Sequence, residues 1–103
     1  NNKKILADHY RAFFDSSEIK YISEPDYASS NYWLNAILFK DEDLKISFLK
    51  ETNASGIGTR PIWSLMTSLP MYENAIQTEL HNSQWIEDRL VCLPSSYCPN
   101  LEK

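Results

Sequence analysis

Two glycines, Gly56 and Gly58, are all that this chain of 103 residues possesses. Phosphate-cradling loops of the dinucleotide or P-loop kind need glycines at several set positions, because the backbone must turn sharply and approach the phosphate closely. This chain therefore does not carry a nucleotide or a cofactor phosphate in that way by itself. Its length is that of one domain. Hydrophobic residues make up 43% and charged residues 23%, the balance of a globular chain rather than a disordered one. Three Trp, six Tyr and four Phe supply bulk for a small core.

The formal charge of −4 argues against a nucleic-acid module, which presents a basic face, and against electrostatic docking on an anionic membrane. No apolar run approaches the roughly 20 residues of a bilayer span, and no signal peptide opens the chain. Cys92 and Cys98 cannot build a disulfide framework or a four-ligand zinc site, and read as two reduced thiols in a cytoplasmic protein.

Residues 1–14 carry Leu6, Tyr10 and Phe13 at helical spacing, with Ile5 and Phe14 widening the stripe. No capping residue precedes this helix, an arrangement expected of a chain cut from something longer. Residues 19–30 are irregular and contain Pro25. Asn31 to Phe39 (NYWLNAILF) predicts a strand buried on both faces. Asp41 to Asn53 predicts a helix capped by Asp41, with Glu42 and Asp43 on its positive end and Gly56 in the left-handed turn after it. A strand over 59–63 follows, so strand, helix and strand fit an α+β or split βαβ arrangement. Residues 65–82 read as loop with a short helical turn, 83–90 as a helix capped by Asn82 or Ser83, and 91–93 as a short strand.

Few residues invite chemistry. His9 and His81 stand in no ligand spacing, and no serine sits in a GxSxG elbow. Asp41, Glu42 and Asp43 are explained by the helix start they occupy. Asn53-Ala54-Ser55 matches the glycosylation sequon, without any signal of secretion beside it. The informative stretch is GIGTRPIWSLMTSLPMY, residues 56–72. Pro61 holds Arg60 in extended backbone and lacks a ladder N–H, which places Arg60 at a strand edge or end. A guanidinium there grips phosphate or carboxylate with paired hydrogen bonds. Trp63, Met66 and Tyr72 offer a stacking wall for a sugar or base. The structural alternative is that Arg60 pairs with an acidic neighbour and Trp63 fills the core.

SNYWLNAILF (residues 30–39), a helix, GIGTRPIWSLMTSLPMY and SQWIEDRLVCLPSS (residues 83–96) together resemble the C-terminal domain of the DegT/DnrJ/EryC1/StrS aminotransferases. The TRPIW…LP·Y form most resembles the branch that makes 4-amino-sugars for legionaminic-acid-like surface glycans. The resemblance implies the small domain of a fold-type I enzyme: an α+β unit with a small antiparallel or mixed sheet of about three strands packed with helices, residues 1–103 forming that single domain. It implies a cytoplasmic homodimer that uses pyridoxal phosphate, takes nitrogen from an amino donor, usually glutamate, and passes it to a nucleotide-linked keto-sugar. Arg60 would then bind an anionic or polar substrate group, Trp63 and Tyr72 would wall the pocket, and Asn31 would stand at the mouth of the first strand.

The family's cofactor lysine lies in an SxHK-like context that this chain does not have. Lys3, Lys4, Lys20, Lys40, Lys45, Lys50 and Lys103 occupy charged or helical surface contexts, so no catalytic residue, cofactor-binding residue or metal ligand is expected here. After Pro94-Ser95-Ser96 the family continues into a last helix, whereas only residues 97–103 remain, with Pro99 among them. A domain separated from its partner should expose a contiguous apolar patch and self-associate. Two other functions compete with this reading. A free-standing glycan- or small-ligand-binding module would use exposed Trp63 and Tyr72 as platforms. A protein-interaction domain would work through its apolar face.

Overall fold

The structure, a computed structural model, describes residues 1–101; Lys103 lies outside them. The elements run α1 (Asn2–Asp15), β1 (Lys20–Tyr21), β2 (Asn35–Leu38), α2 (Glu42–Ala54), β3 (Arg60–Pro61), two 3-10 turns (Met66–Ser68 and Pro70–Tyr72), α3 (His81–Glu87) and β4 (Leu90–Leu93). The four strands form one antiparallel sheet in the order β1-β2-β4-β3. Strands β2 and β3 are therefore parallel to each other with β4 between them, and α2 crosses from one to the other: a split βαβ unit.

Register decides which residues meet. Tyr21 faces Ile37, Ile37 faces Val91, and Val91 faces Pro61. Ile37 and Val91 are wholly buried, and Ala7, Phe14, Phe39 and Leu93 close around them. Phe39 meets Phe48 of α2 with ring centroids 5.0 Å apart. Helices α1 and α2 thus lie on one face of the sheet. On the other face Ala36, Leu38, Leu90 and Cys92 are only half-buried.

Local chemistry sets the ends of α2. The Asp41 carboxylate accepts from the Leu44 N–H at 2.9 Å, a cap worth about 1 kcal/mol. At the far end Ile57 N–H donates to Thr52 O and Gly56 N–H to Asn53 O, the two bonds of a Schellman motif, with Gly56 at φ +81° where a glycine is needed.

The strand expected over 31–39 begins four residues late. Ser30 Oγ accepts from Tyr32 N–H and Asn31 Oδ1 from Trp33 N–H, both at 3.0 Å. These side-chain turns draw the backbone out of extended form, and Tyr32 takes a φ of +49°. Trp33 is 68% exposed rather than buried. A fourth strand, β1, lies in the stretch read as irregular. Helix α3 starts at His81, with Leu80 at its cap position and no side-chain cap, so neither Asn82 nor Ser83 caps it.

A buried polar chain ties the sheet together. Tyr21 OH donates to Asn35 Oδ1 at 2.6 Å, while Asn35 N–H and Nδ2 donate to Ser95 Oγ at 2.9 and 3.1 Å. Ser95 Oγ in turn donates to Leu93 O at 2.9 Å. Burial, with Tyr32 adding to it, pushes the Tyr21 phenol from 10.0 up to about 12. Across pH 10–12 the folded chain holds this proton and the unfolded chain does not, so stability falls as pH rises through that window. In urea denaturation, wild type should be more stable than Tyr21→Phe at pH 9 by about 1–2 kcal/mol, since the variant leaves Asn35 unpaired. That gap should close between pH 10 and 12; a constant gap would contradict the buried phenol.

Candidate functional site

The Schellman turn of α2 delivers the chain directly into β3, and its polar residues hold the first strand position. Thr59 is 1% exposed, and its hydroxyl meets Thr52 Oγ1 at 2.6 Å. Asn53 Nδ2 reaches Thr59 O at 3.2 Å and Thr59 Oγ1 at 3.1 Å, and Asn53 Oδ1 accepts from Arg60 Nη1 at 3.0 Å. Arg60 Nη1 also donates to Thr59 O at 2.9 Å. The sequon asparagine is thus the bracket for the arginine. Among the described residues no carboxylate pairs with Arg60, so its guanidinium is held by neutral acceptors and keeps its full charge for another group.

Arg60 lies on edge strand β3, opposite Cys92 of β4. There a groove of about 540 Å³ opens, lined by Arg60, Ile62, Trp63, Leu34, Cys92 and Ser95 among others. Trp63 is 68% exposed, so its indole walls the groove instead of filling the core. Burial pushes the Cys92 thiol up from its ordinary value, which keeps it protonated and poorly nucleophilic at neutral pH. The groove therefore offers one cation, one aromatic face and apolar surface. Those suit an anionic or polar ligand with a flat body, with no nucleophile or general base among them.

Of the four residues singled out in the sequence, the fold brings two together. Arg60 and Trp63 share the groove. Tyr72 sits on the second 3-10 turn, 40% exposed and outside the groove lining. Asn31 precedes β2 at its Asn35 end, where it lines a separate hollow with Lys3, Lys4 and Trp33 and not the groove. Leu34, Cys92 and Ser95 were not foreseen as lining. Only the β4–β3 register and the Asn35–Ser95 bonds bring them beside Arg60, and neither follows from local pattern. No lysine lines the groove, and Lys3 and Lys45 donate to the backbone oxygens of Ser95 and Glu87. The described residues contain no group of three or more His, Cys, Asp or Glu able to hold a metal ion.

The model of the DegT/DnrJ/EryC1/StrS aminotransferase family matches residues 1–102. The chain belongs to that family. No curated protein matches the sequence. Among solved structures, the crystal structure of an aminotransferase TlmJ from Streptoalloteichus hindustanus superposes with a TM-score of 0.79 at 14% identity, over 90% of this chain and 25% of that one. That likeness supports the α+β fold with its small antiparallel sheet, and this chain spans about a quarter of the aminotransferase it matches. No described helix is long and apolar enough to cross a membrane.

The bracket around Arg60 is testable without any ligand. Asn53→Ala removes one acceptor from Arg60 and two donor contacts from Thr59, and should lower the urea-denaturation free energy by about 1–2 kcal/mol. Lys50→Ala on the exposed side of the same helix should change it by less than about 0.5 kcal/mol.

Proposed function

We propose that this chain is the C-terminal small domain of an aminotransferase that moves an amino group, with glutamate as donor, onto a nucleotide-linked keto-sugar for surface-polysaccharide biosynthesis, in the branch that makes legionaminic-acid-type amino-sugars. Family membership supports the aminotransferase part. The single observation that carries the substrate part is the Arg60–Trp63 groove, where an arginine held only by neutral acceptors stands beside an exposed indole.

Enzymes of this family generally use pyridoxal phosphate, which supplies the electron sink for amine transfer. The groove does not fit that cofactor: it has no lysine for an imine, no acid placed for a pyridine nitrogen and no glycine-rich phosphate cup. The cofactor and its chemistry therefore belong to another part of the enzyme, and this domain alone is inactive. Its own contribution is to bind and orient. Arg60 grips an anionic or polar group of the substrate, Trp63 packs on a flat face, and the Pro94–Ser95 turn closes the other wall. Tyr72 and Asn31 join only if a partner surface, in a homodimer or a cofactor domain, brings them near.

The exposure of Trp63 also fits a stand-alone glycan-binding module, and one experiment separates the two. In the full-length enzyme, Arg60→Ala should raise KM for the nucleotide-sugar about tenfold or more, with kcat and thermal stability little changed. The 103-residue chain alone should bind neither sugar nor nucleotide-sugar in calorimetry and should form no imine absorbance band with pyridoxal phosphate. Unchanged kinetics in Arg60→Ala would refute the substrate role, and sugar binding by the isolated chain would favour the module.

A further inference from the structure

Arg60 is exposed, yet its side chain is fastened at one end. Nη1 donates to Asn53 Oδ1 at 3.0 Å and to Thr59 O at 2.9 Å, which takes up both of its hydrogens. Nε and Nη2 make no hydrogen bond among the described residues. These two nitrogens form the long edge of the guanidinium, and one N–H from each points the same way. That edge matches two oxygens of one phosphate or one carboxylate. A grip through the other edge, Nη1 with Nη2, would need hydrogens that Nη1 has already committed.

Asn53 selects the edge. It stands in the last turn of α2, and the Schellman turn at Gly56 folds the chain back so that Arg60 meets it. A neutral amide suits this post because it must donate and accept at once. Its Nδ2 donates to Leu49 O at 2.8 Å and to Thr59 O and Thr59 Oγ1, while its Oδ1 accepts from Arg60. An aspartate would accept from Arg60, but it could not donate to Leu49 or Thr59, and its charge would offset the one a ligand needs. The bonds also act before any ligand arrives. A loose surface arginine samples many rotamers, and ordering it on binding costs affinity; a guanidinium tied at Nη1 has already lost that freedom.

We propose that Asn53 is the positioning residue of the groove: by holding Nη1 it presents the Nε–Nη2 edge of Arg60, still fully charged, to two oxygens of one anionic group of the substrate. This inference rests on the reading of Arg60 as a substrate-binding residue and adds the residue that acts through it. A nucleotide-linked sugar carries such a group as a phosphate, and glutamate as an amino donor carries it as a carboxylate. The same edge serves either, and kinetics separates them.

The test uses the full-length enzyme. Asn53→Ala should raise KM about threefold or more, with kcat changed less than about twofold, because a displaced guanidinium weakens binding. Asn53→Asp should raise KM further, by about tenfold or more, although it keeps the acceptor for Arg60. A residue that served only the fold would give the reverse order, since the aspartate retains a bond that the alanine loses. Melting temperature should fall by similar amounts in the two variants, as both lose the donors to Leu49 and Thr59, so their difference in KM is not a folding effect. The deciding measurement is a double-mutant cycle. With Arg60→Ala already present, adding Asn53→Ala should change KM less than about twofold, because no guanidinium is left to position. KM is read for both substrates: a rise for the nucleotide-sugar assigns the edge to a phosphate, and a rise for glutamate assigns it to a carboxylate. If Arg60→Ala raises KM but Asn53→Ala does not, or if the two effects simply multiply, the positioning role is overturned and Arg60 keeps its own. If Arg60→Ala changes neither KM, both readings fall.

Discussion

The pairing of Ile37 on β2 with Val91 on β4 is the contact on which the rest of the domain depends. Both side chains are wholly removed from water, and both strands are central in the sheet. Burying two such side chains is worth about 3–6 kcal/mol, a large part of the net stability of a small domain. The same register that joins them sets Cys92 opposite Arg60 and Leu93 opposite Asn35. It also fixes where the excursion over residues 62–89 leaves the sheet. A slip of one residue would send Ile37 and Val91 to the open face and dissolve the Arg60 groove with the core.

Polar groups refine what the apolar contact begins. Tyr21, Asn35 and Ser95 make a continuous buried chain of hydrogen bonds across β1, β2 and the turn after β4. Thr52, Asn53 and Thr59 make a part-buried set of hydrogen bonds between the end of α2 and the start of β3. Each network ends at a wall of the same groove, one at Ser95 and one at Arg60. In low dielectric a satisfied network specifies geometry because any other arrangement leaves a buried group unpaired. The groove is therefore held on two sides by elements that resist displacement.

Helices α1 and α2 pack on one face of the sheet. Its other face, the exposed tryptophans and the excursion over residues 62–89 leave much apolar surface in contact with water. Family membership gives that surface a context, since the aligned region covers only a quarter of an aminotransferase chain. The groove offers an arginine and an exposed indole, and burial pushes its one thiol up from its ordinary value.

Much of this was legible in the residues. Asp41 announces the start of α2 and Gly56 its end, because capping and left-handed turns are decided by the nearest few atoms. Pro61 marks β3 as an edge strand for an equally local reason, the missing N–H. The family was legible in the order of three motifs. Residues 31–34 misled, since apolar side chains predicted a strand while Ser30 and Asn31 were bending the backbone beneath them. Strand β1 was silent, because two residues carry no periodicity and form a strand only against β2.

The sequence alone thus determined the helix ends, the edge position of Arg60 and the lack of a glycine-built phosphate cradle, all properties of neighbouring residues or of simple composition. Tertiary structure alone decided that Trp63 joins Arg60 while Tyr72 and Asn31 stand apart, and that Cys92 and Ser95 complete the groove. Those outcomes depend on strand register and on hydrogen bonds between residues tens of positions apart, where the free energy is set by partners that no local pattern names.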